Sequence, residues 1–309
     1  MYDYHEPVLL VESLEGLALK KDGIYVDATF GGGGHSRAIL PFLDGGTLLA
    51  FDQDPDAEAN TRDAVFRSET FSFIPANFRY LKRYLRLEGV TQVDGILADL
   101  GVSWHQFKTP QRGFSIHANE AKLDMRMDKN SDQSTTARSI LNTYYEDDLA
   151  QLFEQYGELP KSRRLAQAIV RERRLRPFKT IEQLKIIAEP FAANPAQVNK
   201  YFAQLFQALR IEVNEEIAAL QELLTQASEL LSPEGRLVII AYHSLEDRIV
   251  KNYIKRGAFD DGDHRDMYGN SYKPFRAVNK KVITPSNEEL KRNPKSSSAK
   301  LRIGERIKE

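Results

Sequence analysis

The strongest indication of how this chain folds is the segment Ile24-Tyr-Val-Asp-Ala-Thr-Phe-Gly-Gly-Gly-Gly-His-Ser36, followed by Leu48-Leu-Ala-Phe-Asp-Gln-Asp54. The pattern predicts a buried strand, a glycine turn, a helix, a second strand and an acid at the end of that strand. Four consecutive glycines let the backbone approach a ligand that a Cβ atom would push away. The turn also leaves unbonded N–H groups at the start of the helix that opens near His35. A βαβ unit with a ligand site at its turn is therefore predicted.

The acid after the second strand indicates which ligand this turn binds. Asp52 lies 21 residues after Gly31, where a carboxylate can bind the ribose hydroxyls of a nucleoside cofactor. The third glycine of the dinucleotide pattern is missing, because Ser36 stands at its position. A nucleoside without a pyrophosphate is favoured, and S-adenosylmethionine is the common case. The alternative is a turn that only closes a strand against a helix, with Asp52 as a strand-end cap.

Composition excludes several classes of protein. The chain has 309 residues, of which 41% are hydrophobic and 28% charged, as is usual for a soluble globular protein. No apolar run is long enough to span a bilayer, and the start lacks a basic segment followed by an apolar one, so a cytoplasmic protein is expected. The absence of cysteine excludes disulfides, thiolate metal sites and the thiolate attack that usually precedes C5 methylation of pyrimidines. No spacing of His, Asp and Glu predicts a metal site.

Basic residues concentrate in two segments although the formal net charge is −1. Residues 161–179 hold eight basic residues and one acidic residue, and residues 273–309 hold eleven basic and four acidic residues. This segregation predicts basic surfaces that face the phosphates of a nucleic acid. A solvated helix face is the alternative for the first cluster. The candidate phosphate contacts in that cluster are Arg171, Arg173 and Arg174.

Alternation of short apolar segments with helical ones predicts an α/β protein with a doubly wound parallel sheet. The predicted helices of the first hundred residues include 55–67 and 78–87, and a long helix is expected over 214–231. The tail segments 280–285 and 299–304 predict a closing hairpin, and 257–275 a mobile surface loop. The strand candidates are 24–28, 47–51, 71–74, 95–100 and 236–242.

The alternation stops between residues 107 and 211, where a polar loop precedes a series of amphipathic helices. An inserted helical domain explains a segment of this length better than a loop without structure. The predicted domains are thus 1–106 with 212–309, and 107–211. The helix candidates of the insertion are 136–141, 146–156, 162–175, 181–188 and 196–209.

In a doubly wound sheet, ligands bind outside the carboxyl ends of the strands. Asp99 ends the fourth strand there, and Tyr242 and His243 end another strand at the same edge. Phe78 follows the third strand and can lie against an adenine ring. Each of these residues also has a purely structural alternative, as a turn cap, a core aromatic or a satisfied histidine.

Seven motifs occur in series along the chain. They are His5-Glu-Pro-Val-Leu-Leu10, Gly31–His35, Asp99-Leu-Gly-Val-Ser103, Arg112-Gly-Phe-Ser115, Leu123-Asp-Met-Arg-Met-Asp128, Tyr242-His-Ser-Leu-Glu-Asp-Arg248 and Ser298-Ala-Lys-Leu-Arg302. Together they resemble the motifs of the bacterial 16S ribosomal RNA cytosine N4-methyltransferase family, also called the MraW family. The resemblance covers the chain from about residue 4 to residue 306. The sequence departs from the family at Trp104-His105, where Ser-Pro is common, and at Gly32 and residues 295–297, where Arg is frequent.

The resemblance implies an enzyme that uses S-adenosylmethionine to methylate the exocyclic amine of a cytosine in the decoding region of the small ribosomal subunit. It supports an inserted helical domain, which we expect to recognise the RNA. The family does not determine from this sequence whether the protein forms a homo-oligomer. The cofactor contacts that the resemblance implies are Gly33, Gly34, His35, Asp52, Phe78, Asp99 and Gln106.

Methylation of a cytosine amine demands particular help, because the N4 lone pair is delocalised into the ring. The site must align this amine and accept a hydrogen bond from it as it becomes tetrahedral. The best-placed acceptor is the Asp99 carboxylate or a carbonyl of Leu100-Gly101, and His243 is a candidate contact to the nucleotide. The target base must leave its stack. Trp104, Phe114 and Tyr242 are candidates to stack on it.

Other functions remain open from the residues alone. Ribose 2′-O-methylation usually needs a lysine beside the acid, and the first lysine after Asp99 is Lys108. A ribosome-assembly factor that binds S-adenosylmethionine without turnover would fit the basic helices equally well. Ser36 disfavours a nicotinamide oxidoreductase.

Overall fold

A computed structural model describes residues 7–130, 135–260, 262 and 272–308. The chain divides into two compact units: Met1–Gly101 with Ala218–Glu309, and Val102–Ile217. The sequence placed the corresponding divisions after residues 106 and 211. No helix in the described part of the chain is long and apolar enough to cross a membrane.

The first unit is built on a mixed sheet of seven strands in the order β3-β2-β1-β4-β5-β7-β6. The first five strands run parallel, and β7 lies antiparallel between β5 and β6. This order confirms the predicted doubly wound α/β fold. Its switch point lies between β1 and β4, from which the chain winds outward in both directions. The strands are β1 (Ile24–Asp27), β2 (Thr47–Phe51), β3 (Phe71–Ile74), β4 (Val93–Asp99), β5 (Leu231–Ala241), β6 (Phe275–Ala277) and β7 (Lys300–Arg306).

The register brings the carboxyl ends of the central strands to one edge of the sheet. Asp27, the last residue of β1, pairs with Ala50 of β2 and with Leu97 of β4. Asp99, the last residue of β4, pairs with Ile240 of β5. Side chains that follow these strands therefore lie close together, although they are far apart in sequence.

Most predicted helices begin and end close to where the periodicity places them, with a few exceptions. The last helix of the insertion continues to Asn214 instead of ending at residue 209, and the predicted helix 78–87 opens with a 3-10 turn over Phe78–Tyr80. The predicted helix 55–67 is instead two 3-10 segments, Ala57–Arg62 and Ala64–Arg67, because Asp63 between them is extended and caps the second with its side chain. The long helix after the insertion starts only at Glu216, since Glu215 has a φ of 50°. The helices are α1 (Leu10–Leu17), α2 (Gly34–Ile39), α3 (Leu81–Leu87), α4 (Trp104–Lys108), α5 (Ala137–Thr143), α6 (Glu146–Gln155), α7 (Ser162–Leu175), α8 (Ile181–Ala188), α9 (Val198–Asn214), α10 (Glu216–Leu230), α11 (Ser244–Arg256) and α12 (Asn287–Arg292).

The tail closes the sheet differently from the predicted hairpin. β7 pairs with β5 on one side and with the short strand β6 on the other, while Ile283 from the expected partner segment forms a single antiparallel bridge with Leu301. Most of the predicted loop 257–275 lies outside the described residues, and its last residue, Phe275, begins β6.

Each unit has its own hydrophobic core. In the first, helices cover both faces of the sheet, so that Tyr25 and Val26, on opposite faces of β1, are both fully buried. In the second, the apolar faces of α5 to α9 meet around Phe153, Ile169 and Leu205. Because both faces of the central strands are buried, their sequences are continuously apolar and do not alternate between apolar and polar residues.

Candidate active site

The glycine turn after β1 is open toward solvent on one side only. A Cβ atom at Gly33, which has a φ of 75° and caps α2, would lie 2.7 Å from Phe66, and one at Gly34 would lie 2.5 Å from Pro7. Both glycines are required by packing. No described atom lies within 4 Å of a Cβ position at Gly32, and at Gly31 only a carbonyl oxygen does, at 4.0 Å. The side available to a ligand is therefore at Gly31 and Gly32, which the resemblance did not assign.

Asp52 ties the end of β2 to this turn. Its carboxylate accepts hydrogen bonds from the N–H of Gly31 at 2.7 Å and from the N–H of Asp54 at 2.8 Å. Burial raises the pKa of Asp52 to about 6, against the opposing effect of these two amides. Each oxygen has a lone pair left for a further donor, so the residue is placed and oriented as a nucleoside site requires.

Asp27 is a site residue that the sequence reasoning missed. It is fully buried at the end of β1, where it accepts hydrogen bonds from the Ser36 hydroxyl at 2.6 Å and from the Thr29 N–H at 3.1 Å. Burial raises the pKa of Asp27. The signal was present in the sequence, since Asp27 is an acid that ends an apolar strand. Ser36, which replaces the third glycine of the dinucleotide pattern, connects α2 to Asp27 through its hydroxyl.

Asp99 is held on three sides at the end of β4. The Tyr242 hydroxyl donates to its Oδ1 at 2.7 Å, and its own N–H donates to the Thr29 hydroxyl at 2.7 Å. Its Oδ2 lies 3.9 Å from Nδ1 of His35. Burial raises the pKa of Asp99 to about 6, which the neighbouring His35 and Tyr242 oppose. A carboxylate with a raised pKa in a fixed orientation is suited to accept a proton near neutral pH.

Tyr242 and His243 follow β5 and are both fixed by Glu246 of α11. The Glu246 carboxylate accepts a hydrogen bond from the Tyr242 N–H at 3.0 Å and lies 3.0 Å from Nε2 of His243. Nδ1 of His243 accepts from the Glu246 N–H at 3.3 Å and so caps the helix. His243 is buried against its own helix, and its predicted contact with the nucleotide stays a prediction.

Phe78 opens the short 3-10 turn that follows β3 and is half-buried. Asn77 just before it caps the turn and donates from its side chain to Oε1 of Gln53 at 2.8 Å. The end of β3 is thereby tied to the residue after Asp52. This location agrees with the edge predicted for Phe78, and its contact with an adenine ring stays a prediction.

Three residues predicted to contact the cofactor or the target base lie in the second unit. Gln106 is buried and forms a capping box with Ser103, whose N–H it binds at 3.0 Å, so its side chain helps to begin α4. The ring of Trp104 has the Lys108 ammonium 4.8 Å from its centroid. Phe114 is buried in the core of this unit, as the structural alternative for that residue requires. The roles of Gln106 and Trp104 toward cofactor and substrate stay predictions.

The three arginines predicted to bind phosphates differ in their surroundings on α7. Arg171 and Arg174 are exposed. Arg173 is half-buried and donates to the Leu141 carbonyl at 3.0 Å, and burial lowers its pKa. Arg173 therefore has a structural role on this helix, and Arg171 and Arg174 are the stronger candidates.

The strand order, the glycine turn after β1 and the acids that follow β2 and β4 define a Rossmann-like methyltransferase fold. The chain belongs to the MraW methylase family, whose model matches residues 3–307.

Two relatives with more than half of their residues identical agree with this assignment. Ribosomal RNA small subunit methyltransferase H of Cytophaga hutchinsonii is 53% identical over 303 residues, which are 98% of this chain and 99% of that protein. The protein of the same name from Bacteroides thetaiotaomicron is 52% identical over 304 residues, 98% and 97% of the two chains. A solved rRNA methylase from Streptococcus thermophilus aligns over 99% of both chains with 14% identity and a TM-score of 0.44.

Proposed function

We propose that this protein transfers the methyl group of S-adenosylmethionine to the N4 amine of a cytosine in the decoding region of 16S rRNA, in the small ribosomal subunit. The observation that carries the proposal is the Asp99 carboxylate, which is oriented by Tyr242 and lies one strand away from the glycine turn. The names of relatives that are 53% and 52% identical support an rRNA substrate.

The residues around the turn fit the nucleoside part of the cofactor. The open side at Gly31 and Gly32 leaves room for a ligand against the backbone, and Asp52 has oxygen lone pairs for ribose hydroxyls. We propose Phe78 as the contact to the adenine ring. When bound, the cofactor supplies an electrophilic methyl group on a positively charged sulfur. Gly33, Gly34 and Asp27 support this site from behind by shaping the turn.

Asp99 has the properties that the chemistry requires of an acceptor. As the cytosine amine forms its new bond to carbon, its nitrogen becomes positively charged and must lose a proton. Asp99 can accept a hydrogen bond from this N–H through Oδ2, the oxygen that does not accept from the Tyr242 hydroxyl. With a pKa of about 6, Asp99 is ionised near pH 7 and can hold the proton.

We propose that the second unit recognises the RNA. Its helix α7 presents Arg171 and Arg174 to solvent within a segment that carries eight basic residues. Exposed guanidinium groups on one helix are suited to the phosphate backbone, which supplies much of the affinity in complexes with RNA. Trp104 is our candidate to stack on the extruded base.

The proposal is tested by incubating the protein with methyl-labelled S-adenosylmethionine and isolated small subunits, naked 16S rRNA or whole ribosomes. We expect label in the small subunits, and mass analysis of the digested nucleosides is expected to yield N4-methylcytidine. The Asp99→Asn variant is the matched control, because an amide can accept from Tyr242 but cannot hold the proton.

Methyl groups on ribose would contradict the proposal and favour 2′-O-methylation. Binding of S-adenosylmethionine with no label in any of the three RNA substrates would contradict it as well, and would favour a non-catalytic assembly factor. Equal turnover by Asp99→Asn and by the unchanged protein would remove Asp99 from the reaction.

A further inference from the structure

The tautomer of the His35 ring follows from its contact with the chain that enters α1. His35 is buried, and its Nε2 lies 3.1 Å from the carbonyl oxygen of Val8. A carbonyl oxygen can only accept a hydrogen bond, so Nε2 carries a hydrogen whether the ring is neutral or charged. Nδ1 is consequently the nitrogen that has a lone pair when the ring is neutral.

Nδ1 of His35 lies near Oδ2 of Asp99. The distance from Nδ1 to Oδ2 is 3.9 Å, while the other carboxylate oxygen is bonded to the Tyr242 hydroxyl. A movement of about 1 Å would bring the two groups into hydrogen-bond contact, and such contacts are often long before substrate is bound. Oδ2 of Asp99, which we assign to the substrate amine, is thus also the carboxylate oxygen that lies near Nδ1 of His35.

The Val8 carbonyl is itself held in place. Leu9 has a left-handed φ of 51°, and its N–H donates to the buried carboxylate of Glu289 at 2.9 Å. These two residues are 280 positions apart in the chain. Glu289 is therefore a positioning residue, which fixes the turn that orients the His35 ring.

We infer that His35 is the proton partner of Asp99: after methyl transfer it receives the proton from this carboxylate and so returns Asp99 to its ionised form. This inference rests on the proposed function. The N4 lone pair forms the new bond to carbon while the electrons of the broken sulfur–carbon bond stay on sulfur. The N4 proton then passes to Oδ2 of Asp99, its bonding electrons return to nitrogen, and the proton moves on to Nδ1 of His35. The result is an imidazolium beside an ionised Asp99.

The charges around the pair favour this end state. The groups that act on Asp99 are His35 from α2, Tyr242 after β5, Asp27 from β1 and Glu246 from α11. Asp27 and Glu246 raise the pKa of Asp99, whereas His35 and Tyr242 lower it. Among these four, His35 is the residue that can carry positive charge. Its removal leaves Asp99 beside two acids, and Asp99 then holds its proton to higher pH.

The test is a titration of the Asp99 carboxyl carbon by ¹³C NMR in the cofactor-free protein, unchanged and as His35→Gln. Glutamine can still donate to Val8 but cannot take a proton. We expect the midpoint of Asp99 to rise in this variant. We also expect the single-turnover rate of methylation to fall roughly tenfold to a hundredfold on the acidic side of neutrality and to recover in part at alkaline pH. The exposed His117→Gln is the matched control, expected to change neither readout.

An unchanged Asp99 midpoint together with a loss of rate that is the same at every pH would overturn the inference, since it would reduce His35 to a structural or cofactor contact. If His35→Gln does not fold, His35→Asn is measured instead, because the amide of asparagine occupies the place of Nδ1. The same rise in the titration midpoint of Asp99 is expected in that variant. The titration needs neither cofactor nor substrate. If the protein does not methylate cytosine, the titration of Asp99 can still be measured and interpreted. If the protein does methylate cytosine but the midpoint of Asp99 is the same in His35→Gln, the inference about His35 is wrong and the proposed function stands.

Discussion

The hydroxyl of Tyr242 donates to Oδ1 of Asp99 at 2.7 Å, across 143 positions of sequence. The bond joins the residue after β5 to the last residue of β4, and Tyr242 also packs against Gly101, whose φ is 106°. Burial and the neighbouring Asp99 carboxylate raise the pKa of Tyr242 well above its ordinary value, so the phenol remains a donor. This tyrosine orients the proposed proton acceptor through its hydroxyl. The prediction that its ring stacks on the target base stays a prediction.

Replacing Tyr242 by phenylalanine removes this donor and keeps the ring. Because the bond lowers the pKa of Asp99, we expect that pKa to rise and the acidic limb of the pH–rate profile to move to higher pH. A hydrogen bond to a charged group contributes about 1.5–3 kcal/mol, so a rate loss of at least about tenfold is expected on that limb. Methyl transfer measured across pH tests this. The exposed Tyr145→Phe is the control, and a profile that keeps its shape would contradict the prediction.

Asp52→Asn tests the ribose-binding role. The amide keeps one acceptor for Gly31 and lacks the charge and the second acceptor that we assign to the ribose hydroxyls. We expect affinity for S-adenosylhomocysteine to fall about tenfold to a hundredfold in calorimetry, since each lost hydrogen bond to a charged group is worth about 1.5–3 kcal/mol. The exposed Asp44→Asn serves as the control. Unaltered affinity in Asp52→Asn would show that the ribose does not contact Asp52.

Asp99 also makes stability depend on pH. Its pKa is raised from 3.8 to about 6 in the folded protein, so the folded state binds the proton more tightly than the unfolded state. The resulting stabilisation is fully present below the unfolded pKa and is lost as pH rises through about 6.

Asp99→Asn lacks this titration. Relative to the variant, the unchanged protein is expected to lose on the order of 2 kcal/mol in the free energy of unfolding between about pH 4 and 7. Urea unfolding over this range measures the difference, with Asp44→Asn as a reference. Parallel curves for the unchanged protein and Asp99→Asn would contradict a raised pKa.

Charge reversal of Arg171 and Arg174 together tests the RNA-binding role of α7. Each lost phosphate contact lowers the slope of log K against log salt by about 0.7–0.9. We therefore expect weaker binding of the small subunit and a slope that is shallower by about 1 to 2. Arg83→Glu with Arg86→Glu, on α3 of the first unit, is a charge-matched control. Arg173 is left unchanged because it holds the Leu141 carbonyl. Equal affinity and slope for both double variants would show that the RNA does not contact α7.

Much of the first unit could be predicted because its signals are local. Strands 47–51 and 71–74 have the predicted bounds, since short apolar segments between turn residues have few other stable arrangements. The prediction of one helix over residues 55–67 was wrong, because Asp63 has an extended backbone and interrupts the helix that the composition favours. The predicted hairpin between 280–285 and 299–304 was misplaced, because β6 and not the segment 280–285 forms the edge strand beside β7. Which segment reaches a sheet edge depends on the tertiary structure.

The class of fold, the glycine turn and the acids at the strand ends could be recognised from local sequence, because side-chain periodicity and backbone freedom act over a few residues. The contacts of those acids became known from the folded chain alone. It placed Tyr242 on Asp99, Ser36 on Asp27, and the ring of His35 between Val8 and Asp99. These contacts depend on the register of strands that are far apart in the chain, and local sequence cannot encode the orientation of one buried group against another.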